Sequence, residues 1–245
     1  MNFSGLSQES FLGELLRLPL RILPGGLRLP ILQGGFRGKW WIVAAGHYGC
    51  WLGSYEYEKR RLFEAEVNRG HTVYDLGAHA GYYTLLASVL VGPEGKVFAF
   101  EPLPQNLFYL KEHMRINRLK NVTVIEAAVS DHNGRVRFGE GPDRYTGEIA
   151  PDGSIVVQAV SLDSYVSEHG LPAPDLIKMD VEGAELAALT GAKSLLARHH
   201  PKIFLAVHGE DLRRQCRDFL ASLGYRLRGL DRENLEQAWE ILAWP

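Results

Sequence analysis

Cysteine is nearly absent: the 245 residues contain two, Cys50 and Cys216, far apart and in no Cys-x-x-Cys pair. That argues against a zinc site built on thiolates. The two read instead as buried apolar side chains in a reducing compartment, with the cytoplasm as the expected location. An excess of positive charge is lacking too. The formal net charge is −2, so the basic footprint of a nucleic-acid binder is missing and no nucleic-acid partner is expected. No early apolar run is long enough to span a bilayer, because residues 11–32 are interrupted by Arg17, Arg21 and Arg28 and by Pro19, Pro24 and Pro30. A secretory signature is not seen. What remains is ordinary globular composition, 46% hydrophobic and 23% charged, enough to bury the core of one sizeable domain.

Residues 1–50 read as an N-terminal extension. It holds a helix over 11–18 ended by Pro19, turns at Pro24-Gly25-Gly26 and Gly34-Gly35, and a strand over 39–45. Trp40 and Trp41 read as either core or an oligomer face, the latter that of a homodimer. Residues 51–245 read as one domain. A charged amphipathic helix over 54–68 precedes an alternation. Strands at 71–76, 96–100, 122–127, 175–179 and 203–207 alternate with helices at 82–91, 103–117, 184–196 and 211–223. Strands at 225–230 and 238–243 close the chain. That rhythm implies an α/β fold with a central, mostly parallel, seven-stranded sheet and helices on both faces. Residues 130–160 interrupt it with turn signals and two strands, and Ser161 looks like the cap of another helix.

The most informative segment is Val73-Tyr-Asp75-Leu-Gly77-Ala78-His79-Ala-Gly81-Tyr-Tyr-Thr84. A strand ends in Asp75, a glycine turn follows, and a helix begins. Glycines let a ligand lie against the backbone, and the helix start adds a positive field. A dinucleotide loop wants Gly-x-Gly-x-x-Gly for a pyrophosphate. Here His79 stands where the second glycine would fall, and Asp75 would repel a diphosphate. An acid suits a cationic ligand instead, such as S-adenosylmethionine, with its sulfonium and ammonium groups. The candidate cofactor residues of this loop are Asp75, Gly77, Ala78, Gly81 and Thr84. About 20 residues on, Val97-Phe-Ala-Phe-Glu101-Pro102 places an acid at the end of the next strand, where a carboxylate can accept from both ribose hydroxyls. Ser130 and Asp131, after the third strand, are candidates for contacts near adenine; an Asp-Asn-Gly turn with no ligand role explains them equally well.

The fourth strand runs into Asp180-Val-Glu182-Gly-Ala-Glu185, and the fifth into His208-Gly-Glu-Asp211. In an open parallel sheet these strand ends face the ligand crevice. Asp180 then faces the methionine end of the cofactor, with Glu182 beside it. His208, as a near-neutral imidazole, is the candidate general base for a hydroxyl nucleophile. Glu185 reads as a helix-start charge. Asp180, Glu182 and His208 could also gather a divalent cation, but nothing in their spacing demands one, and no metal site is assigned.

At this point the chain resembles the FkbM-type methyltransferases, a group of S-adenosylmethionine-dependent O-methyltransferases. The resemblance runs through Trp51-Leu-Gly-Ser-Tyr-Glu56, Tyr74 to Thr84, Phe100-Glu-Pro-Leu-Pro-Gln-Asn106, Ile177 to Leu186 and Pro201-Lys-Ile. It implies a Rossmann-like class I methyltransferase fold over 51–245. Asp75, Gly77, Gly81 and Glu101 would sit in the cofactor site, with Asp180 and Glu182 in the active site. Two positions depart from the family pattern. Its usual Gly-Ala-Asn is Gly77-Ala78-His79 here, and Ala206 stands where a glutamate is common late in strand five. Family members act on sugars and natural-product hydroxyls, so the expected partner is a small-molecule or sugar acceptor, with Trp51, Tyr145 and Thr146 as candidate contacts. The competing expectations are an NAD-dependent oxidoreductase or epimerase and a non-catalytic nucleoside-binding module.

Overall fold

The computed structural model describes residues 23–140, 147–149 and 153–245. The helix expected over 11–18, and Tyr145 and Thr146, lie outside them. Two short strands come first, β1 (Arg28–Pro30) and β2 (Trp40–Ile42), paired antiparallel. Helices α1 (Tyr48–Leu52) and α2 (Tyr57–Glu66) follow. Then β3 (Thr72–Leu76), α3 (Tyr82–Val91), β4 (Lys96–Phe100), α4 (Pro104–Asn117) and β5 (Val122–Ile125) alternate. A separate sheet contains β6 (Ala128–Val129), β7 (Gly134–Glu140), β8 (Gly147–Ile149) and β9 (Ile155–Val160). The alternation resumes with α5 (Leu162–His169), β10 (Leu176–Met179), α6 (Glu185–Thr190), α7 (Lys193–His199), β11 (Lys202–Ala206) and α8 (Glu210–Ser222). It ends with β12 (Arg226–Gly229) and β13 (Glu240–Trp244).

The central sheet has the seven-stranded order β12-β13-β11-β10-β3-β4-β5. Only β13 runs antiparallel to its neighbours, so the expected mostly parallel sheet is present. β3 reads TVYDL and is buried throughout, as a central strand covered on both faces must be. Alternate side chains face opposite layers. Val73, Val97 and Leu176 pack with Phe63, Leu85 and Leu86 on one face. Tyr74, Leu76 and Ile177 pack with Leu162, Leu189 and Leu220 on the other.

After β3 the chain adds β4 and β5 on one side, and β10 returns on the other. The carboxyl ends of β3 and β10 therefore flank a topological switch point, where open α/β sheets form their ligand crevice. Gly77 makes the close approach there workable. A Cβ on it would lie 1.8 Å from the Asp180 carbonyl oxygen, and its φ is +75°.

Residues 23–52 are stitched to α4. Trp41 is 1% exposed and stacks on His113 at 4.0 Å, while Trp40 is 46% exposed; only Trp40 remains available to an oligomer face. The Ile42 N–H donates to His113 Nε2 at 3.0 Å, and His113 Nδ1 donates to Ala80 O at 2.7 Å. Burial pushes the His113 pKa down to about 4, so the ring is neutral and can serve as donor and acceptor at once. Trp51 is buried in the same cluster. The boundary expected at residue 50 falls within α1.

Three local expectations change. The strand expected over 39–45 shortens to Trp40–Ile42 and tightens into a 3-10 turn. The helix expected over 184–196 is two helices broken at Gly191, whose carbonyl accepts from the Asp163 N–H at 2.8 Å and from Ser161 Oγ at 2.9 Å. Ser161 stands at the N-cap position of α5 as expected, but its hydroxyl goes to Gly191 rather than to the helix's own amides, and Asp163 caps α7 by accepting from the Ser194 and Leu195 N–H groups. Both cysteines are free and buried. No helix among the described residues is long and apolar enough to cross a membrane.

Candidate active site

A cavity of about 240 Å³ opens at the switch point. One side is formed by Gly77, Ala78, Glu101 and Pro102, and the other end by Asp180 and Glu182. Trp41, His47, Tyr55 and Glu56 from the N-terminal segment complete a wall.

Glu101 is 3% exposed at the end of β4. Its Oε2 accepts from the His79 N–H at 2.7 Å, and its Oε1 from the Leu103 N–H at 2.9 Å and Asn106 Nδ2 at 3.2 Å. Burial pushes its pKa up to about 7 against the pull of those donors. His79 reaches Glu101 through a left-handed backbone, φ 51°. The neighbouring amides are also used inside the protein: Gly77 and Ala78 donate to Phe100 O at 3.0 and 2.9 Å, and Gly81 to Ala78 O at 2.8 Å.

Asp75 and Thr84 lie behind the cavity wall, each 1% exposed. Thr84 Oγ1 donates to Asp75 Oδ2 at 2.6 Å, and burial raises the Asp75 carboxyl. Lys178 joins this pair to the cavity. Its ammonium lies 3.6 Å from Asp75 and 3.5 Å from Asp180, and donates to Gly77 O at 3.2 Å. Gly81 caps α3 from outside the cavity. Ser130 and Asp131 do not reach the cavity wall either. Ser130 is buried, and Asp131 turns to His132 Nδ1 at 2.6 Å on the surface. Trp51 likewise stays in the core.

Asp180, Glu182 and His208 come together at the cavity's other end. His208 Nε2 lies 3.7 Å from Asp180 and 3.5 Å from Glu182. Its Nδ1 pairs with Glu185 Oε1 at 2.8 Å. Glu185 is 0% exposed; it takes the Gly183 N–H at the helix start, as expected there, and also holds His208. The Glu185 hydrogen bond, reinforced by Asp180 and Glu182, raises the His208 pKa to about 9. The sequence suggested a near-neutral imidazole; three carboxylates hold its proton instead. Burial alone would raise the Asp180 carboxyl, but Lys178, Lys59 and His208 keep it down at about 2.

Sequence reasoning missed three features. Lys178 was visible as a charge inside an apolar strand, which needs buried partners. Asn106 and Glu56 close two of the segments that carry the family resemblance, but nothing in their spacing pointed to a role. Glu56 accepts from Tyr83 OH at 2.8 Å and faces Lys59 at 2.9 Å, and Lys59 in turn meets Glu240 at 2.7 Å.

Residues 75–227 match the model of the methyltransferase FkbM domain. The chain belongs to the FkbM methyltransferase family. The match begins at Asp75, so the family domain includes the Glu101 and Asp180–His208 ends but not Trp41, Tyr55 or Glu56. Among curated relatives, the hexuronic acid methyltransferase AglP of Haloferax volcanii is 28% identical over 144 residues, covering 58% of this chain and 58% of that protein. The 2-O-methyltransferase NoeI of Sinorhizobium fredii is 34% identical over 126 residues, covering 43% and 51%. The chain thus spans little more than half the length of these relatives. The crystal structure of methyltransferase FkbM from Methylobacillus flagellatus superimposes with a TM-score of 0.55 at 19% identity, over 82% of this chain and 56% of that one. It shares the Rossmann-like methyltransferase fold.

Proposed function

We propose that this protein transfers a methyl group from S-adenosylmethionine to a hydroxyl oxygen of a sugar or other small molecule. One observation carries the reading: a ribose-type carboxylate, Glu101, and the Asp180–Glu182–His208 cluster stand at or beside one cavity, at the sheet's switch point.

The cavity suits a nucleoside without phosphate. Amides of Gly77, Ala78, His79 and Gly81 are already donated within the protein, so the loop does not offer the cradle a pyrophosphate needs. This favours S-adenosylmethionine over NAD. Glu101, fixed by three donors, keeps acceptor capacity for ribose hydroxyls. Gly77, Ala78 and Pro102 provide the close wall. Asp180 holds the cationic end, and Asp75 and Thr84 act through Lys178. When bound, S-adenosylmethionine supplies an electrophilic methyl carbon, and the carbon–sulfur bond breaks with its electron pair left on sulfur as an oxygen attacks in line.

The protein's contribution is alignment and proton removal. Asp180 and Glu182 accept hydrogen bonds from the acceptor and aim its oxygen. His208, oriented by Glu185, takes the hydroxyl proton once it has released its own to solvent, so turnover should rise as pH approaches about 9. The acceptor class draws support from relatives named for hexuronic acid methylation and for 2-O-methylation. The two free, buried cysteines support a cytoplasmic setting.

The test is turnover to S-adenosylhomocysteine with a panel of hexoses, uronic acids and small diols. Acceptor-dependent product, slowed at least tenfold in His208→Ala with S-adenosylhomocysteine affinity retained, is expected. A folded sample that binds the nucleoside but turns over with no acceptor would favour the binding-module reading.

A further inference from the structure

We propose that Asp180, Glu182 and His208 bind one divalent cation at the acceptor end of the cavity. The chemistry rests on the methyltransferase reading above; the site itself rests on geometry. One ligand atom from each of the three residues lies within 4.8 Å of the other two. Neighbouring ligands around an ion with bonds near 2.1 Å sit about 3 Å apart, so shifts of about 1 Å close the set. The side chains have room for that: Glu182 is 37% exposed and His208 38%.

A group outside the trio prepares the imidazole. Glu185 is wholly buried, and its Oε1 takes the hydrogen on His208 Nδ1 at 2.8 Å, while its Oε2 is buried with no hydrogen-bond partner. Nε2 is thereby turned toward Asp180 and Glu182. A carboxylate behind the far ring nitrogen is how proteins orient metal-binding histidines.

The charge balance points the same way. Four carboxylates, Asp75, Asp180, Glu182 and Glu185, face Lys178 and His208. Lys59 is the next cation, and it is engaged by Glu56 and Glu240. Even with His208 protonated the group is negative, so exchanging that proton for a doubly charged ion brings it closer to neutrality. One imidazole with two carboxylates fits manganese, iron, cobalt or zinc better than calcium or magnesium.

The ion changes the role of His208 from proton acceptor to ligand. Open coordination positions take water and the acceptor hydroxyl. The ion would stabilise the oxygen as its O–H bond loses the proton to water on the exposed side of the cluster, and that oxygen would form the bond to the methyl carbon as the carbon–sulfur bond breaks and S-adenosylhomocysteine leaves with the electron pair on sulfur.

The test titrates the full chain with Mn²⁺ alone, reading free ion by electron paramagnetic resonance, beside a calorimetric titration with S-adenosylhomocysteine. One site saturating below about 1 mM is expected. His208→Ala and Glu182→Gln should weaken it at least tenfold, and Glu185→Gln by about 10- to 100-fold through the orientation of His208. His208→Ala should leave S-adenosylhomocysteine affinity within about threefold. A protein that binds the nucleoside but shows no saturable Mn²⁺ site overturns the metal site and leaves His208 as the base. Mn²⁺ binding that survives these substitutions is adventitious and overturns it equally. Mn²⁺ binding without nucleoside binding would instead overturn the methyltransferase reading beneath.

Discussion

The two ends of the cavity are built on different physics. At the Glu101 end, two backbone N–H groups and Asn106 saturate one carboxylate at 2.7–3.2 Å. At the Asp180 end, ionisable groups face one another at 3.5–3.7 Å, and Glu185 makes short contacts to His208 and to the Gly183 N–H. Directional hydrogen bonds to a buried group make the first end rigid before any ligand arrives. The second is held by charge balance and is partly open, so it can rearrange around an acceptor or an ion. The difference teaches how one scaffold can hold one end of a cavity fixed while the other adapts: the rigid end is tied to strand ends, and the adaptable end to side chains.

The largest disruption should come from joining the two ends by force. Gly77→Ala puts a Cβ 1.8 Å from the Asp180 carbonyl at a φ of +75°. It should cost more than about 3 kcal/mol of stability and abolish nucleoside binding, read by chemical denaturation and calorimetry. Next, Glu101→Ala strands three donors and removes the proposed ribose acceptor. S-adenosylhomocysteine affinity should fall roughly 100-fold, about 2.7 kcal/mol. Glu185→Gln attacks only the other end. Steady-state kinetics should show kcat down about 10- to 100-fold with nucleoside affinity nearly unchanged. If it weakened the nucleoside as much as Glu101→Ala does, the two ends would not be separable.

The smallest effect sharpens the contrast through pH. Glu101 has its pKa raised to about 7, and in the proposed site its ionised form is the one that would accept two ribose hydroxyls. Protonation as pH falls removes that capacity. S-adenosylhomocysteine affinity should be flat above about pH 8 and decline below about pH 7, approaching tenfold per pH unit. Glu101→Gln should remove the slope, which calorimetry across pH can check.

Legibility in the sequence followed the same division. The places of Gly77 and Glu101 were readable because strand ends and a glycine turn are local patterns, and Gly77 is where two strand ends touch; Asp75, expected at the ligand, lies behind the cavity wall instead. The parallel sheet was readable from alternation alone. The break at Gly191 was not, because its cause is an approach by Ser161 and Asp163 from another helix. Lys178 showed as a charge in an apolar strand, but its partners Asp75 and Asp180 come from separate strand ends. Glu185 looked like an ordinary helix-start acid because its second partner, His208, is 23 residues away. Lys59 and Glu240 meet across 181 residues, beyond any pattern of spacing. Charge-balanced contacts are set by tertiary structure, and so the chemical end was the less legible one.

The most direct measurement is calorimetric titration of the full chain with S-adenosylhomocysteine, with NAD as control. A single site of micromolar or tighter affinity for the first and no binding of the second is the predicted result. A folded sample that ignores S-adenosylhomocysteine, or that binds NAD in its place, would contradict the assignment of this cavity to a methyltransferase.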